Sequence, residues 1–192
     1  MYSVFFAVTL SFLIILLTMP VLIKFLTKMK IGQMIQEDGP KHQQKKHTPT
    51  MAGVWLISIM ALVSVVFARL DNVILWLVLT VMLLHMLVGM VDDFAKLYYQ
   101  NNDFGLRARD KFLLQLCIAV VAVAVWQYCF VHADYSLVTF QFPGLGYYAL
   151  DLGYLYPVFA VFMIVGSSNA VNLTDGLDGL VSIPVVCVCL GL

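Results

Sequence analysis

Four polar side chains recur at every third residue near the carboxyl end of the chain: Asn169, Asn172, Asp175 and Asp178. On a helix, neighbours at this spacing lie on adjoining parts of one face. Such groups are expensive in hydrocarbon, so their recurrence after a long apolar run indicates a site for a charged substrate at a membrane surface. The competing interpretation is helix termination, because Asn, Asp and Gly are also common cap and turn residues.

A second acidic group, Asp92 and Asp93, closes another apolar run. Adjacent carboxylates repel each other, and a Mg²⁺ ion or a nearby cation would relieve that repulsion. Lys96 follows Asp92 by four residues, which is the favourable order for an ion pair on a helix. The two acidic groups together offer hard oxygen ligands for Mg²⁺, a combination that suits phosphoryl transfer. For the aspartate pair alone, a solvated helix end with a local salt bridge is the alternative.

His85 precedes Asp92 by seven residues and shares its helix face, about 10 Å deeper in the apolar run. A proton relay is one interpretation of this placement. We favour a hydrogen bond to a neighbouring helix, because polar side chains inside membrane bundles commonly pair in this way.

The elements that position these side chains are predicted to be membrane helices, because 62% of the 192 residues are hydrophobic and only 11% are charged. A soluble domain of this size needs a far more polar surface. Five apolar runs of about 18–20 residues, or about 27–30 Å of helix, match the thickness of a hydrocarbon core. The runs are Val4–Ile23, Met51–Ala68, Val73–Val91, Phe112–Val131 and Tyr154–Val171.

A sixth apolar run begins near Leu180 and reaches Leu192, which is too short to span. We therefore expect an all-α polytopic membrane protein with five transmembrane helices and the start of a sixth. Residues 1–192 are expected to form a single integral membrane domain that is truncated within that sixth helix. The segment 132–153 is β-prone and turn-rich, which predicts a short hairpin on the outer face between helices 4 and 5.

Basic residues predict the orientation of the helices. Six Lys lie between Lys24 and Thr50, and four Lys and Arg lie between Asp92 and Lys111, so these loops hold ten of the eleven. The positive-inside rule places both loops in the cytoplasm and the N-terminus outside. Alternation then brings both acidic groups to the cytoplasmic face. An ion- or proton-coupled transporter, the alternative from another functional class, would place its carboxylates near the bilayer midplane instead.

Three stretches of the chain resemble the signatures of one enzyme family, the polyprenyl-phosphate N-acetylhexosamine-1-phosphate transferases. They are Asp38–Gly53, with its Thr-Pro-Thr-Met sequence, Val91–Lys96 and Asn169–Leu180. The segment Gly105–Lys111 is also similar to the second cytoplasmic loop of that family. The resemblance covers essentially the whole chain in the right order, and the Thr-Pro-Thr-Met sequence favours the branch that transfers a muramoyl peptide.

The resemblance implies an activity, substrates and a location. It implies transfer of phospho-N-acetylmuramoyl-pentapeptide from UDP-MurNAc-pentapeptide to undecaprenyl phosphate, with release of UMP and formation of lipid I for peptidoglycan synthesis. It further implies a requirement for Mg²⁺, an active site on the cytoplasmic face of the bacterial inner membrane, and a possible homodimer. A related enzyme that transfers GlcNAc-1-phosphate to the same lipid is the nearest alternative.

The resemblance also implies roles for individual residues. Catalytic roles are carried over to Asp92, Asp93 and Asp175, with Asp92 as the base for the polyprenyl phosphate and Asp175 as the Mg²⁺ ligand. Substrate-binding roles are carried over to Lys96, Lys111, Asn172 and Asp178. Direct attack by the lipid phosphate and a covalent phospho-aspartate route both remain open.

Members of the family carry about ten helices, consistent with a sixth run too short to span the bilayer. Their last cytoplasmic loops supply a further aspartate and a His-rich motif. We expect that part of the site to follow Leu192, and we expect the 192-residue chain to be inactive alone.

Overall fold

The computed structural model describes residues 2–28, 51–99, 105–130, 139–141, 149–174 and 180–191. These residues are predominantly helical, as the sequence predicts. The helices are α1 (Tyr2–Lys28), α2 (Ala52–Phe67), α3 (Val73–Tyr99), α4 (Ala108–Phe130), α5 (Tyr156–Thr174) and α6 (Ser182–Gly191). Two short strands, β1 (Thr139–Gln141) and β2 (Ala149–Asp151), and a 3-10 turn (Gly153–Leu155) lie between α4 and α5.

Four helical segments in the described part of the chain are long and apolar enough to cross a membrane. They are Ser3–Lys28, Val73–Tyr99, Ala108–Cys129 and Gly153–Thr174. The remaining predicted span forms α2, which is apolar but only 16 residues long, or about 24 Å. The prediction of a polytopic helical membrane protein is therefore confirmed, with α2 shorter than the other spans.

Large apolar side chains point away from the protein along these helices. In α1, for example, Phe5 is 68% exposed and Leu17 is 72% exposed. A water-soluble protein rarely exposes so continuous an apolar surface, because each such side chain costs free energy in water. The pattern is that of helices whose outer faces meet hydrocarbon or further apolar helices.

The chain divides into two compact units, Met1–Leu114 and Gln115–Leu192. In the first unit α1 packs against α2, and α2 packs against α3. The indole Nε1 of Trp55 on α2 donates a hydrogen bond to Thr18 Oγ1 on α1 over 2.9 Å. The Thr18 hydroxyl in turn donates to the Ile14 carbonyl oxygen over 2.6 Å, so the polar groups at this contact between α1 and α2 are paired.

A capped turn joins α2 to α3. The Asn72 side-chain oxygen accepts the Ile74 N–H over 2.9 Å, which satisfies one of the free donors at the start of α3. Trp76 donates from its ring Nε1 to the Leu70 carbonyl oxygen over 2.8 Å. The Asn72 bond explains why α3 begins at Val73, and α2 ends at Phe67 because Ala68 is extended, with φ −89° and ψ 164°.

In the second unit, the Trp126 and Tyr156 rings contact each other with centroids 5.2 Å apart. The strands β1 and β2 pair antiparallel, with Phe140 opposite Leu150. They lie in the segment for which the sequence predicts a hairpin. Residues 142–148 lie outside the described residues, so the turn of that hairpin and its place on the outer face stay predictions, as does the single domain.

Candidate active site

Asp92 lies where α3 is expected to leave the hydrocarbon. The helix has 27 residues, about 40 Å, which exceeds a hydrocarbon core of about 30 Å. Asp92 is the twentieth of those residues, about 30 Å from the first. The last two turns of α3 can therefore carry charged groups without placing them at the bilayer centre.

The Asp92 carboxylate is buried and fully paired. Only 4% of the residue is exposed. Its Oδ2 accepts from Lys96 Nζ over 2.8 Å and from Lys111 Nζ over 3.5 Å. Its Oδ1 accepts the backbone N–H of Leu106 over 2.8 Å. Because an unpaired buried carboxylate is very costly, these three donors are what allow Asp92 to lie inside the protein as an anion.

The two lysines reach Asp92 from different parts of the first unit. Lys96 lies one helical turn after Asp92 on α3, and this ion pair confirms the pairing predicted from the sequence. Lys111 lies in the first turn of α4, where its backbone N–H donates to the Arg107 carbonyl oxygen over 3.0 Å. The side chains of Lys96 and Lys111 remain 36% and 21% exposed, so both are partly accessible to a ligand.

Asp93 has different surroundings from Asp92. It is half-buried, and the backbone N–H of Met51 interacts with its carboxylate. Met51 has φ 70° and ψ 11°, and it is the one non-glycine residue with positive φ in the described part of the chain. A left-handed conformation costs such a residue about 1–2 kcal/mol. Here it directs the chain into α2 and brings a peptide N–H to Asp93.

Asp92, Asp93, Lys96 and Lys111 form a cluster of four charged groups, hereafter the Asp–Lys cluster. Two carboxylates and two ammonium groups make it formally neutral. Both lysines also act electrostatically on Asp93, so they offset the repulsion within the aspartate pair. A bound anion would compete with Asp92 for the ammonium groups, so the cluster is suited to binding phosphate groups.

Asn169 and Asn172, the two members of the polar row that lie on α5, have different surroundings. Asn169 Nδ2 donates to Gln115 Oε1 on α4 over 2.7 Å and to the Val165 carbonyl oxygen over 2.8 Å. Gln115 is 4% exposed, and its Nε2 donates to Ser168 Oγ over 3.2 Å. Asn169 is thus a helix-packing residue, whereas Asn172 is exposed. Of these two residues, Asn172 is the one that is accessible to a ligand.

His85 has a local partner on its own helix. Its Nδ1 lies 2.9 Å from the Val81 carbonyl oxygen, and its Nε2 is buried without a partner among the described residues. The interhelical hydrogen bond that we favoured from the sequence is not formed within that part of the chain. Nothing described connects His85 to Asp92.

Comparison with known proteins identifies the family. Residues 75–192, more than half of the chain and including Asp92, match the family described as Glycosyl transferase family 4. The chain belongs to this family. The sequence resemblance to polyprenyl-phosphate sugar-phosphate transferases is therefore confirmed at the level of the family.

Individual relatives of this family-4 chain carry a common name, phospho-N-acetylmuramoyl-pentapeptide-transferase. The protein of Rickettsia canadensis (strain McKiel) is 44% identical over 170 residues, which cover 88% of this chain and 46% of the relative. That of Rickettsia felis (strain ATCC VR-1525 / URRWXCal2) is 42% identical over 185 residues, or 95% and 49% of the two chains. That of Rickettsia prowazekii (strain Madrid E) is 42% identical over 181 residues, or 93% and 49%. The chain spans about half the length of the curated relatives it matches.

Five of the seven predicted site residues lie in the described part of this family-4 chain. They are Asp92, Asp93, Lys96, Lys111 and Asn172. The structure brings the first four together in one unit. Asp175 and Asp178 lie outside the described residues, and the residues described contain no group of three or more His, Cys, Asp or Glu side chains that could hold a metal. The Mg²⁺ ligand predicted at Asp175 therefore stays a prediction.

Three contacts of the family-4 site were not foreseen from the sequence. Leu106 acts through its backbone N–H, which no side-chain pattern reveals. The Lys111–Asp92 contact depends on how the loop between α3 and α4 returns. Gln115 did carry a signal, since it is a polar residue inside the apolar run that forms α4, and such residues usually have a specific partner.

Proposed function

We propose that this chain is part of an enzyme that transfers phospho-N-acetylmuramoyl-pentapeptide from UDP-MurNAc-pentapeptide to undecaprenyl phosphate. UMP leaves, and lipid I is formed at the cytoplasmic face of the bacterial inner membrane. The observation that carries the proposal is the Asp–Lys cluster at the end of the membrane-length helix α3 in a chain of glycosyl transferase family 4. The names of its relatives support the choice of sugar.

The proposed reaction is one displacement at phosphorus. An oxygen of the lipid phosphate attacks the phosphorus that carries the sugar. The bond from that phosphorus to the oxygen bridging the two phosphates breaks, and its electron pair leaves with UMP. The reaction makes negative charge on the leaving phosphate, so positive groups beside that oxygen lower the barrier.

Lys96 and Lys111 are proposed to supply those positive groups. Both side chains are partly exposed, and both ammonium groups are held near one point by Asp92. When a diphosphate binds, its oxygens replace the Asp92 carboxylate as partners of the lysines. The lysines remain paired in this exchange, whereas the buried Asp92 carboxylate keeps the Leu106 N–H and loses both ammonium groups, which favours its taking up a proton.

The same exchange accounts for Asp92 as the proposed base. A carboxylate held by two ammonium groups is a poor proton acceptor. Once the lysines turn to the diphosphate, Asp92 is released to take a proton from the lipid phosphate. The demand on this base is modest, because a phosphate monoester loses its second proton with a pKa of about 6.

Mg²⁺ is proposed to bind through Asp175, with Asn172 and Asp178 shaping the metal and nucleotide pocket. When bound, the ion would offset the charge of the diphosphate. The donor chemistry fits Mg²⁺, because carboxylate and carboxamide oxygens are hard ligands. Asp93 is a further carboxylate of this chain, and it is half-buried. Asp92 is not proposed as a ligand, because its proposed role is that of the base.

A transferase assay on the complete enzyme in detergent or vesicles tests the proposal. UDP-MurNAc-pentapeptide and UDP-GlcNAc are supplied in turn with undecaprenyl phosphate, and UMP and lipid-linked product are measured. We expect product from the muramoyl substrate only. Product from UDP-GlcNAc alone would replace the proposal by the related sugar-phosphate transfer. A trapped phospho-aspartate would contradict direct attack by the lipid phosphate.

A further inference from the structure

Gly105 lies against the two central side chains of the Asp–Lys cluster. A Cβ atom placed on Gly105 would lie 2.5 Å from Lys96 Cε, 2.7 Å from Asp92 Oδ1 and 3.1 Å from Lys96 Cγ. The first two distances are far below van der Waals contact. A side chain at position 105 would therefore have to displace Lys96, Asp92 or both.

The requirement at this position is one of space. Four other glycines, at positions 53, 89, 153 and 166, have nothing within 4 Å of an added Cβ. Among the glycines that the structure describes, Gly153 is the one with positive φ, so Gly105 does not need the conformational freedom of glycine. What it provides is close approach of the backbone to Asp92.

That close approach has a chemical result. Leu106, the next residue, donates its backbone N–H to Asp92 Oδ1 over 2.8 Å. This bond occupies one carboxylate oxygen and leaves Oδ2 to Lys96 and Lys111. Gly105 and Leu106, hereafter the Gly105 strap, thus fix which oxygen faces the lysines.

We propose that Gly105 is a positioning residue for the transfer reaction. Because glycine has no Cβ, the strap can lie against Asp92 and Lys96 and hold them at the positions from which they act together with Lys111. The inference rests on the proposed function. A methyl group at position 105 meets the flexible end of Lys96 and a carboxylate oxygen. Both can move aside without unfolding the protein, but they then leave the positions from which they act.

Gly105→Ala in the complete enzyme tests the inference, with Gly89→Ala on the same helix as Asp92 as the matched control. We expect Gly105→Ala to lower kcat roughly 10- to 100-fold, as displacements of about 1 Å do in active sites. The KM for UDP-MurNAc-pentapeptide should rise, while the KM for undecaprenyl phosphate should stay unchanged. Gly89→Ala should leave all three values unchanged, since its surroundings are open.

A double-mutant cycle with Lys96→Ala separates positioning from a general structural effect. Lys96→Ala removes the two carbon atoms that a Cβ at position 105 would meet. The added cost of Gly105→Ala should be smaller in that background, because the contact with Asp92 Oδ1 is then the one left of the three, and contacting residues are not additive. If Gly105→Ala alone loses its cooperative unfolding transition in detergent, the double variant should regain it.

The outcomes distinguish this inference from the function on which it rests. An active unsubstituted enzyme with equal kinetics for Gly105→Ala and Gly89→Ala would overturn the positioning role. Equal losses from Gly105→Ala with and without Lys96 would overturn it too. An unsubstituted complete enzyme that makes no lipid-linked product would overturn the proposed function and this inference with it.

Discussion

The two carboxylate oxygens of Asp92 have different partners. One accepts a peptide N–H from the Gly105 strap and the other accepts two ammonium groups. The Lys96 contact follows from a spacing of four residues and could be predicted. The Leu106 and Lys111 contacts could not, because they depend on the path of a loop that carries no periodicity. At this scale, sequence identifies the charged groups and the fold decides which of them meet.

Lys111 is expected to act mainly on the nucleotide sugar. Replacing Lys111 with Ala removes one of the two ammonium groups that would bind the diphosphate. We expect the KM for UDP-MurNAc-pentapeptide to rise roughly 10- to 150-fold, the effect of losing a charge-assisted hydrogen bond of about 1.5–3 kcal/mol. Steady-state kinetics on the complete enzyme measure it. Arg109→Ala, an exposed neighbour on α4, is the control, and an equal rise for both variants would contradict a specific role.

Asp175 is expected to be required for the metal-dependent reaction. Asp175→Asn keeps the size of the side chain and removes its charge, which weakens binding of a hard divalent cation. We expect turnover to fall below about 1% of the unsubstituted value at a Mg²⁺ concentration that saturates the latter, in line with losses of several kcal/mol. A Mg²⁺ titration of the transferase assay measures this. Activity near normal, or activity that survives removal of Mg²⁺ by EDTA, would refute the assignment.

Asn169 and Asn172 on α5 look alike in sequence but have different surroundings in the structure. Each step of three residues turns a helix by about 300°, so successive members move about 60° around its axis. Asn169 and Asn172, the two members of the row within α5, therefore lie about 60° apart around it. Asn169 meets Gln115 on α4 while Asn172 is exposed. The spacing predicted a shared face, but the hydrogen bond to Gln115 takes Asn169 into the contact with α4 and leaves Asn172 exposed.

The Gln115–Asn169 bond is expected to stabilise the contact between α4 and α5. A double-mutant cycle of Gln115→Leu and Asn169→Leu should give a coupling free energy of about 0.5–1.5 kcal/mol, the range for hydrogen bonds between membrane helices. Unfolding by SDS in mixed micelles measures it. A cycle of Gln115→Leu with Ser167→Ala is the control, since Ser167 Oγ donates to Met163 on its own helix. Coupling near zero in the first cycle would show that the bond contributes nothing.

For the molecule as a whole, composition was sufficient to predict a helical membrane protein. Apolar length alone located the four spanning segments found among the described residues, because hydrocarbon requires a continuous run of apolar residues. It overestimated α2, which begins after the left-handed Met51 and ends before the extended Ala68. Those are local hydrogen-bond and backbone effects, which hydropathy does not include.

The orientation of the helices is expected to follow the basic loops. Reporter fusions after residue 100 and after residue 140 test this. The first should fluoresce as a cytoplasmic reporter and lack alkaline phosphatase activity, and the second should do the reverse. The opposite pattern would place the Asp–Lys cluster outside the cell, where UDP-linked substrates are not supplied, and would contradict the proposed function.

The order in which Asp92 gains its partners follows the order in which the chain is made. Lys96 belongs to the same helix, so its ion pair with Asp92 can form as soon as α3 exists. That early neutralisation lowers the cost of bringing the end of α3 to the membrane during biosynthesis. Leu106 and Lys111 come later, and they complete the cluster only once the chain has turned into α4. In a nascent chain the Asp92 carboxylate can thus be paired with Lys96 once α3 has inserted. The remaining contacts of the cluster form when α4 follows.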